Sequence, residues 1–332
     1  MARWRARTPT LFMRVQRCGV MPSIDVTHFS DPCCPWAYSS SPFLAVLRWR
    51  FGAQLNWRHV MIGLTEKAEQ YEARGYTPSR QAHGFVDFRK RGMPFSTAVK
   101  TRMSGTSRAC RAVVATRLTA PELELTAFRA IQFGQFTGGR PMDEDDAIAD
   151  ALRWAEGLDP QKIVSLIDSP DVLEAYEADR AEARTAEGGP TEAQGRAANS
   201  DGKVRFTAPS LVFRQGDRSL EAGGFQQYDA YDVCIANLDP TLDRRDPAQP
   251  GDDLVELLES EPWGLTTREV AQVMAGRNDP PDDLAAEDAL IDVLAEGRVR
   301  RDDLGNGALW RPVGGGAANG RAGHAAAAAG AR

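Results

Sequence analysis

The first clear pattern lies at 24–29, where Ile-Asp-Val-Thr-His-Phe alternates apolar and polar positions and is rich in β-branched residues, which predicts a strand. Trp36 to Phe51 then carries Phe43, Leu44, Leu47 and Phe51 at helical spacing and stops at Gly52. Leu55 to Leu64 reads as a second strand through Trp57, His59 and Met61 or their alternates. Strand, helix and strand make a βαβ unit, so the two strands should be parallel with a right-handed crossover. From Glu66 to about Ala186 the period becomes helical, with helices near 107–119, 121–136, 143–156, 160–168 and 170–186. Asp143 is the expected N-cap of the third of these, with Asp146 in its first turn. The polar stretch Thr185 to Phe206, with Gly188-Gly189 inside it, reads as one long loop of the kind that often covers a site. Ser210–Arg214 and Arg218–Ala222 flank Gly216-Asp217 as an antiparallel hairpin, and a helix from about Gln227 to Leu238 follows.

Two strands and a helix, then a hairpin and a helix, with a helical block between the halves, is a thioredoxin-like α/β layout with a large all-helical insertion. It is expected to occupy 22–240, with the insertion at about 66–186. After a linker at 241–253 a second, smaller unit follows at 254–312. It has a helix at Leu254–Ser260, a capping box at Thr266-Thr-Arg-Glu269 and a helix at Ala285–Glu296 ending at Gly297. A hairpin over Val299–Trp310 turns at Gly305-Asn306-Gly307. That order resembles a winged-helix module, which would suggest DNA. The charge argues against it: residues 251–312 hold six Arg and fifteen Asp or Glu, and the would-be recognition helix carries Glu287, Asp288, Asp292 and Glu296. Duplex binding depends on neutralising phosphates, so the expected role is protein contact or domain packing.

The ends of the chain read differently. Residues 1–21 contain Arg3, Arg5, Arg7, Arg14 and Arg17, no acid and no uninterrupted apolar run, which suits a disordered extension better than a signal peptide. Cys18 within it is expected to be incidental. Residues 313–332 are Gly/Ala-rich and are expected to be disordered.

Composition narrows the chemistry. At 332 residues the chain can bury a full core, and five scattered cysteines do not form a disulfide framework, so a reducing, cytoplasmic setting is expected. A net charge of −6 gives no general attraction to nucleic acid or an anionic membrane, and no stretch is apolar enough to span one. Homo-oligomerisation is not legible. His28, His59, His83 and His324 show no ligand spacing and no Cys-x-x-Cys occurs, so no metal is expected. His28 and His59 are expected in central strands as satisfied residues. No glycine-rich phosphate loop follows a strand.

What carries chemistry is Asp31-Pro-Cys33-Cys34-Pro35-Trp36-Ala37-Tyr38, between the first strand and the first helix. A thiol at a helix start faces unpaired N–H groups and the positive dipole end, which can pull its pKa from about 8.5 to as low as about 3.5. Pro35 suits the first helical position because it has no N–H to waste. Cys34 is therefore expected to be a reactive, acidified thiol. Together with Thr207-Ala208-Pro209 before the hairpin and Gly223-Gly224-Phe225 before its helix, the Asp-Pro-x-Cys-Pro-Trp segment resembles the DsbA-like thioredoxin family. That family also includes 2-hydroxychromene-2-carboxylate isomerases and kappa-class glutathione transferases.

The resemblance implies that Cys34 is the nucleophile and that Pro209 is a cis-proline whose neighbour Ala208 pairs with the substrate. Pro35, Trp36 and Thr106 would then belong to the substrate or thiol site. In the family the region around Gly105 contacts the small thiol, often through an Asn that this chain lacks. Ala37 also departs, because it stands where dithiol members carry a resolving cysteine. A second thiol must come from elsewhere. Glutathione or mycothiol as cosubstrate, with no tightly bound cofactor, is the economical source. Adjacent Cα atoms, about 3.8 Å apart, lie closer than the roughly 4.4–6.8 Å of an ordinary disulfide, so Cys33 is a poor partner. Cys110 is the other possible second thiol, while Cys234 reads as core. Gln194, Asn199 and Arg205 could meet a ligand carboxylate. The expected activity is monothiol oxidoreduction of a disulfide or electrophile. A thiol-dependent isomerase or transferase, and a non-catalytic redox sensor or protein-binding scaffold, are the alternatives.

Overall fold

The computed structural model describes residues 23–275 and 279–313. The expectations for the N-terminal extension with Cys18, and for the C-terminal tail with His324, lie outside those residues. Strand β1 (Ile24–Ser30) leads through the Asp31–Cys34 turn into α1 (Pro35–Phe51) and β2 (Leu55–Met61). The helical block that follows comprises α2 (Glu69–Glu72), α3 (Pro78–Phe88), α4 (Ser107–Thr119), α5 (Glu124–Thr137), α6 (Asp145–Leu152), α7 (Pro160–Leu166) and α8 (Pro170–Ala183). After α9 (Pro190–Ala193) and the short pair β3 (Ala197–Asn199) and β4 (Val204–Phe206) come β5 (Ser210–Gln215), β6 (Arg218–Ala222) and α10 (Tyr228–Leu238).

The main sheet runs β2-β1-β5-β6. β1 pairs parallel with β2 in the register His28↔His59, as the βαβ reading predicts, and antiparallel with β5 through Phe29↔Ser210. β1 is central and nearly all buried, yet, against expectation, His28 Nε2 and Ser30 Oγ are buried with no hydrogen-bond partner among the described residues, and His59 sits on β2 at the sheet edge rather than on a central strand.

α1 lies in the middle of the molecule, with Leu44, Ala45, Val46, Leu47, Trp49 and Phe51 all buried. Apolar residues on nearly every side mark a helix covered on nearly every side. Pro42 inside it would leave the Tyr38 carbonyl without its helical donor, and the Ser41 hydroxyl fills the gap, donating to that oxygen at 2.8 Å.

Two local expectations are corrected. Asp143 does not cap α6: Glu144 occupies the cap position without a side-chain bond, and the Asp143 carboxylate is held by Arg102 and accepts from the Gly105 N–H at 3.1 Å. The stretch 185–206 is not one loop, since it folds into α9 and the β3–β4 hairpin. Gly202 takes φ 95° in the hairpin turn, where the Asn199 side chain accepts from its N–H. Thr191 ties the segment to β6 through Glu221, and Arg184 pairs with Asp201.

The C-terminal unit contains α11 (Asp252–Ser260), β7 (Leu265–Thr266), α12 (Thr267–Met274), α13 (Asp283–Ala295), β8 (Val299–Leu304) and β9 (Gly307–Pro312), with sheet order β7-β9-β8. The Thr266/Glu269 capping box forms as its sequence predicts. This unit does not stand apart: Leu257, Leu265, Val270 and Trp310 share one buried cluster with Leu47 of α1 and Phe213 of β5. Burying each such side chain is worth about 1.5–3 kcal/mol. Arg129 of α5 also meets Glu269 of α12 at 2.6 Å, both essentially buried, and Arg48 meets Glu261 at 2.7 Å.

Candidate active site

Because β1 leaves the sheet beside the point where β5 enters it, the turn after β1 faces the turn before β5. Cys34 is the N-cap of α1 with extended backbone (φ −86°, ψ 117°), and Pro35 is the first helical residue. Opposite it the Ala208–Pro209 peptide bond is cis. The Cys34 thiol donates to the Ala208 carbonyl oxygen at 3.2 Å and is 5% exposed.

Asp31 is the junction of the turn. Its carboxylate accepts from the Cys33 N–H at 2.8 Å, the Leu64 N–H at 2.9 Å, the Thr106 hydroxyl at 2.7 Å and the Cys110 thiol at 3.4 Å. One side chain thus ties β1, the end of β2 and α4 together. Gly105 is needed for the approach of α4, since a Cβ there would meet the Glu66 carbonyl oxygen at 2.7 Å.

The electrostatics overturn the expected acidification of Cys34. Burial pushes its thiol up to about 12; the Ala37 and Trp36 N–H groups and Arg205 pull the other way, while Asp31 adds to the rise. The helix start is present, but desolvation of the anion outweighs it. Burial, then Asp31, also pushes Cys33 and Cys110 well up, and all three sulfurs are free thiols. Asp31 itself is raised by burial against the pull of its donors. Lys100, which no sequence pattern singles out, is buried with its amine lowered to about 8 by desolvation, and it donates to Gln135 at 2.6 Å.

A cavity of about 300 Å³ opens on Cys34. Its floor includes Cys33, Cys34 and Arg205, and its walls include Trp36, Tyr71, Phe85 and Met103. The segment 69–88 covers it, contributing Tyr71, Arg74, Tyr76 and Arg80. Trp36, 42% exposed, forms the rim with Arg91 stacked 4.3 Å above its ring.

The sequence family defined by the DSBA-like thioredoxin domain matches residues 25–195. The chain belongs to that family. No curated protein matches it. Among solved structures it is similar to a candidate protein disulfide isomerase from Nitrosomonas europaea, at 18% identity over 65% of this chain and 97% of that one, with TM-score 0.49. It is also similar to the cytosolic disulfide reductase DsbM from Pseudomonas aeruginosa, at 16% identity, 64% and 97% coverage and TM-score 0.43. A third is DsbA from Chlamydia trachomatis, at 14% identity, 71% and 97% coverage and TM-score 0.40.

The structure brings Cys34, Cys33, Pro35 and Trp36 of the matched region to one cavity with Arg205, which lies beyond it, and Ala208 and Pro209 stand on its sulfur side. Thr106 and Cys110 are turned to Asp31 and do not line the cavity. Gln194 and Asn199 lie away from it, the latter holding its own hairpin turn. Cys234 is half-buried on α10. Tyr71, Arg74 and Arg80 were missed by sequence reasoning. The Tyr71-x-x-Arg74-x-Tyr76 spacing was visible, but nothing local places a four-residue helix over a thiol forty residues away. Among the described residues no helix is long and apolar enough to cross a membrane.

Proposed function

We propose that the protein is a thiol–disulfide oxidoreductase that works through the single sulfur of Cys34 and an external low-molecular-weight thiol. The observation that carries the reading is Cys34 at the α1 N-cap, 3.2 Å from the carbonyl of Ala208, with Ala37 where a resolving sulfur would sit. In the first step the Cys34 thiolate, supported by the Trp36 and Ala37 N–H groups, attacks one sulfur of a disulfide. A Cys34–S–S–R bond forms, the substrate's S–S bond breaks, and the departing sulfur leaves with the electron pair and takes up the proton lost by Cys34. An external thiolate such as glutathione or mycothiol then attacks the sulfur held on Cys34, and Cys34 departs. Once its thiol releases the Ala208 carbonyl, that oxygen is free to accept from the incoming molecule.

The test is mass analysis with turnover. Cys34→Ser should lose both the mixed-disulfide adduct and turnover, while Cys33→Ser and Cys110→Ser should keep them. Ala37→Cys should make the adduct resolve without added thiol. Turnover persisting in Cys34→Ser would sink the reading.

The protonated resting thiol favours a second reading, in which Cys34 donates to the sulfur of a bound small thiol and holds it as the cofactor of an isomerase or transferase. Binding of the small thiol with no covalent adduct, retained in Cys34→Ser and lost in Cys34→Ala, distinguishes it. We read the α11–β9 unit as winged-helix-like and devoted to packing or protein contact rather than nucleic acid. Its acidity and its two buried or half-buried ion pairs to α1 and α5 support this.

A further inference from the structure

The residues lining the Cys34 cavity include three arginines and no acid. Arg205 is 6% exposed, and its guanidinium donates only to neutral oxygens, Ser200 Oγ at 3.2 Å and the Phe206 carbonyl at 3.0 Å. Arg74 reaches the Gln70 carbonyl at 2.8 Å and stacks on Tyr71; Arg80 reaches the Gly75 carbonyl at 3.1 Å and stacks on Tyr76. Among the described residues none of the three has a carboxylate within ion-pair distance, although most other arginines of the chain do. A buried cation without a directly paired counter-charge is costly; Asp201 and Asp31 act on Arg205 only from beyond ion-pair distance, and its guanidinium lines the cavity that holds the thiol.

Size and wall chemistry narrow what fits. At about 300 Å³ the cavity is at the small end of ligand pockets, which run from about 300 to 1,000 Å³. Cys34 is covered by the 69–88 segment rather than presented on an open face. Guanidinium forks match carboxylates, and the stacked arginines are already aligned by their tyrosines.

We propose that the occupant of this cavity is a small molecule with at least two carboxylates, bound by Arg205 on the floor and by Arg74 and Arg80 on the cover. This deepens the reading of Cys34 as the reactive sulfur and rests on it for the chemistry, though not for the binding. The anionic groups flank the sulfur of the ligand and seat it against Cys34.

The experiment uses two probes of similar length, dianionic 3,3′-dithiodipropionate and neutral bis(2-hydroxyethyl) disulfide. Calorimetry with the full chain carrying Cys34→Ser measures binding without reaction. The dianion should bind at least about tenfold more tightly than the neutral probe, with the advantage shrinking at high salt. Arg205→Gln should weaken the dianion about tenfold and leave the neutral probe unchanged. Arg74→Gln and Arg80→Gln, both on the exposed cover, give the same comparison should the buried substitution unfold the protein. Equal affinity for the two probes, no binding of the dianion, or indifference to all three arginine variants overturns the proposal. In parallel, mass analysis follows labelling of wild-type Cys34 by each probe. Selective dianion binding without any labelling would leave the anion site standing and remove the oxidoreductase reading. Labelling by both probes at equal rates with charge-blind binding would do the reverse.

Discussion

The alkylation of Cys34 against pH gives a direct test of how burial and helix geometry compete. Burial holds this thiol up to about 12, against 9.0 for the unperturbed group. At pH 7.5, below both values, the thiolate fraction falls tenfold each time the pKa rises by one, so Cys34 carries about a thousandfold less thiolate than a free cysteine. The thiolate is the nucleophile, and its greater intrinsic nucleophilicity at higher pKa offsets part of that deficit, so reaction with iodoacetamide should be slower by about 30- to 60-fold. The reagent is small and neutral, so the arginines of the cavity do not bias it. The logarithm of the rate should rise with unit slope from about pH 6.5 to about pH 10 without a plateau, read on the peptide containing Cys34 so that the other cysteines do not contribute. Asp31→Asn, which removes the negative charge nearest the turn, should shift the line toward faster reaction. A plateau at or below about pH 8 would refute the reasoning. It would mean that the N–H groups of Trp36 and Ala37 outweigh desolvation.

Two further outcomes follow from buried charge. Glu269→Ala leaves Arg129 buried without its partner and removes the capping box, and should cost about 3–5 kcal/mol in urea denaturation; Arg129→Met with Glu269→Leu should recover most of it. His59 is buried, lies 5.4 Å from His28 between ring centroids, and is lowered to about 4 by burial and then by Arg48 and Arg117. The unfolded chain therefore binds the extra proton between pH 6.5 and about 4, and stability present above 6.5 is lost as pH falls. His59 alone should account for about 2 kcal/mol at pH 5. Glu124, raised to about 7 by burial, works in the opposite direction over the same range. The measurement is accordingly the wild-type minus His59→Gln difference at pH 7.5 and at pH 5, and a constant difference would refute it.

The elements that could be read from the sequence are those whose cause is local. Alternation made β1 legible, Gly216-Asp217 made the β5–β6 hairpin legible, and Thr266 with Glu269 announced the start of α12. The Cys-Pro at a helix start and the distant Ala208-Pro209 were visible too, and β1–β5 pairing brings them together. What could not be read depends on atoms far away in sequence. The thiol's protonation state is set by how completely 69–88 and the cavity walls exclude water, and no spacing around Cys34 encodes that. Asp31 has the residue type of a turn former; its donors come from residues 33, 64, 106 and 110. Asp143 has the right residue type for a cap but is claimed by Arg102, and the 185–206 segment is ordered by Glu221 and by positive-φ glycines rather than by an apolar period.

The charges around the thiol bear on which molecule carries the reacting anion. Burial above all holds the proton on Cys34, helped by the Ala208 carbonyl that accepts it and the Asp31 carboxylate beneath the turn. Two N–H groups and Arg205 favour its loss. A carboxylate seated on Arg205 would cancel that guanidinium's pull, so an anionic ligand makes Cys34 harder to ionise, not easier. The same ligand brings its own sulfur to a place where Arg205 and a donating Cys34 thiol can both stabilise a negative charge. If the ligand is anionic, exchange through Cys34 must draw its activation from displacement of the Ala208 carbonyl, and the alternative of a held cofactor thiolate gains what Cys34 loses. The charge of the preferred ligand and the ionisation of Cys34 are therefore one question, and the arginines of the cavity decide it together with the buried aspartate.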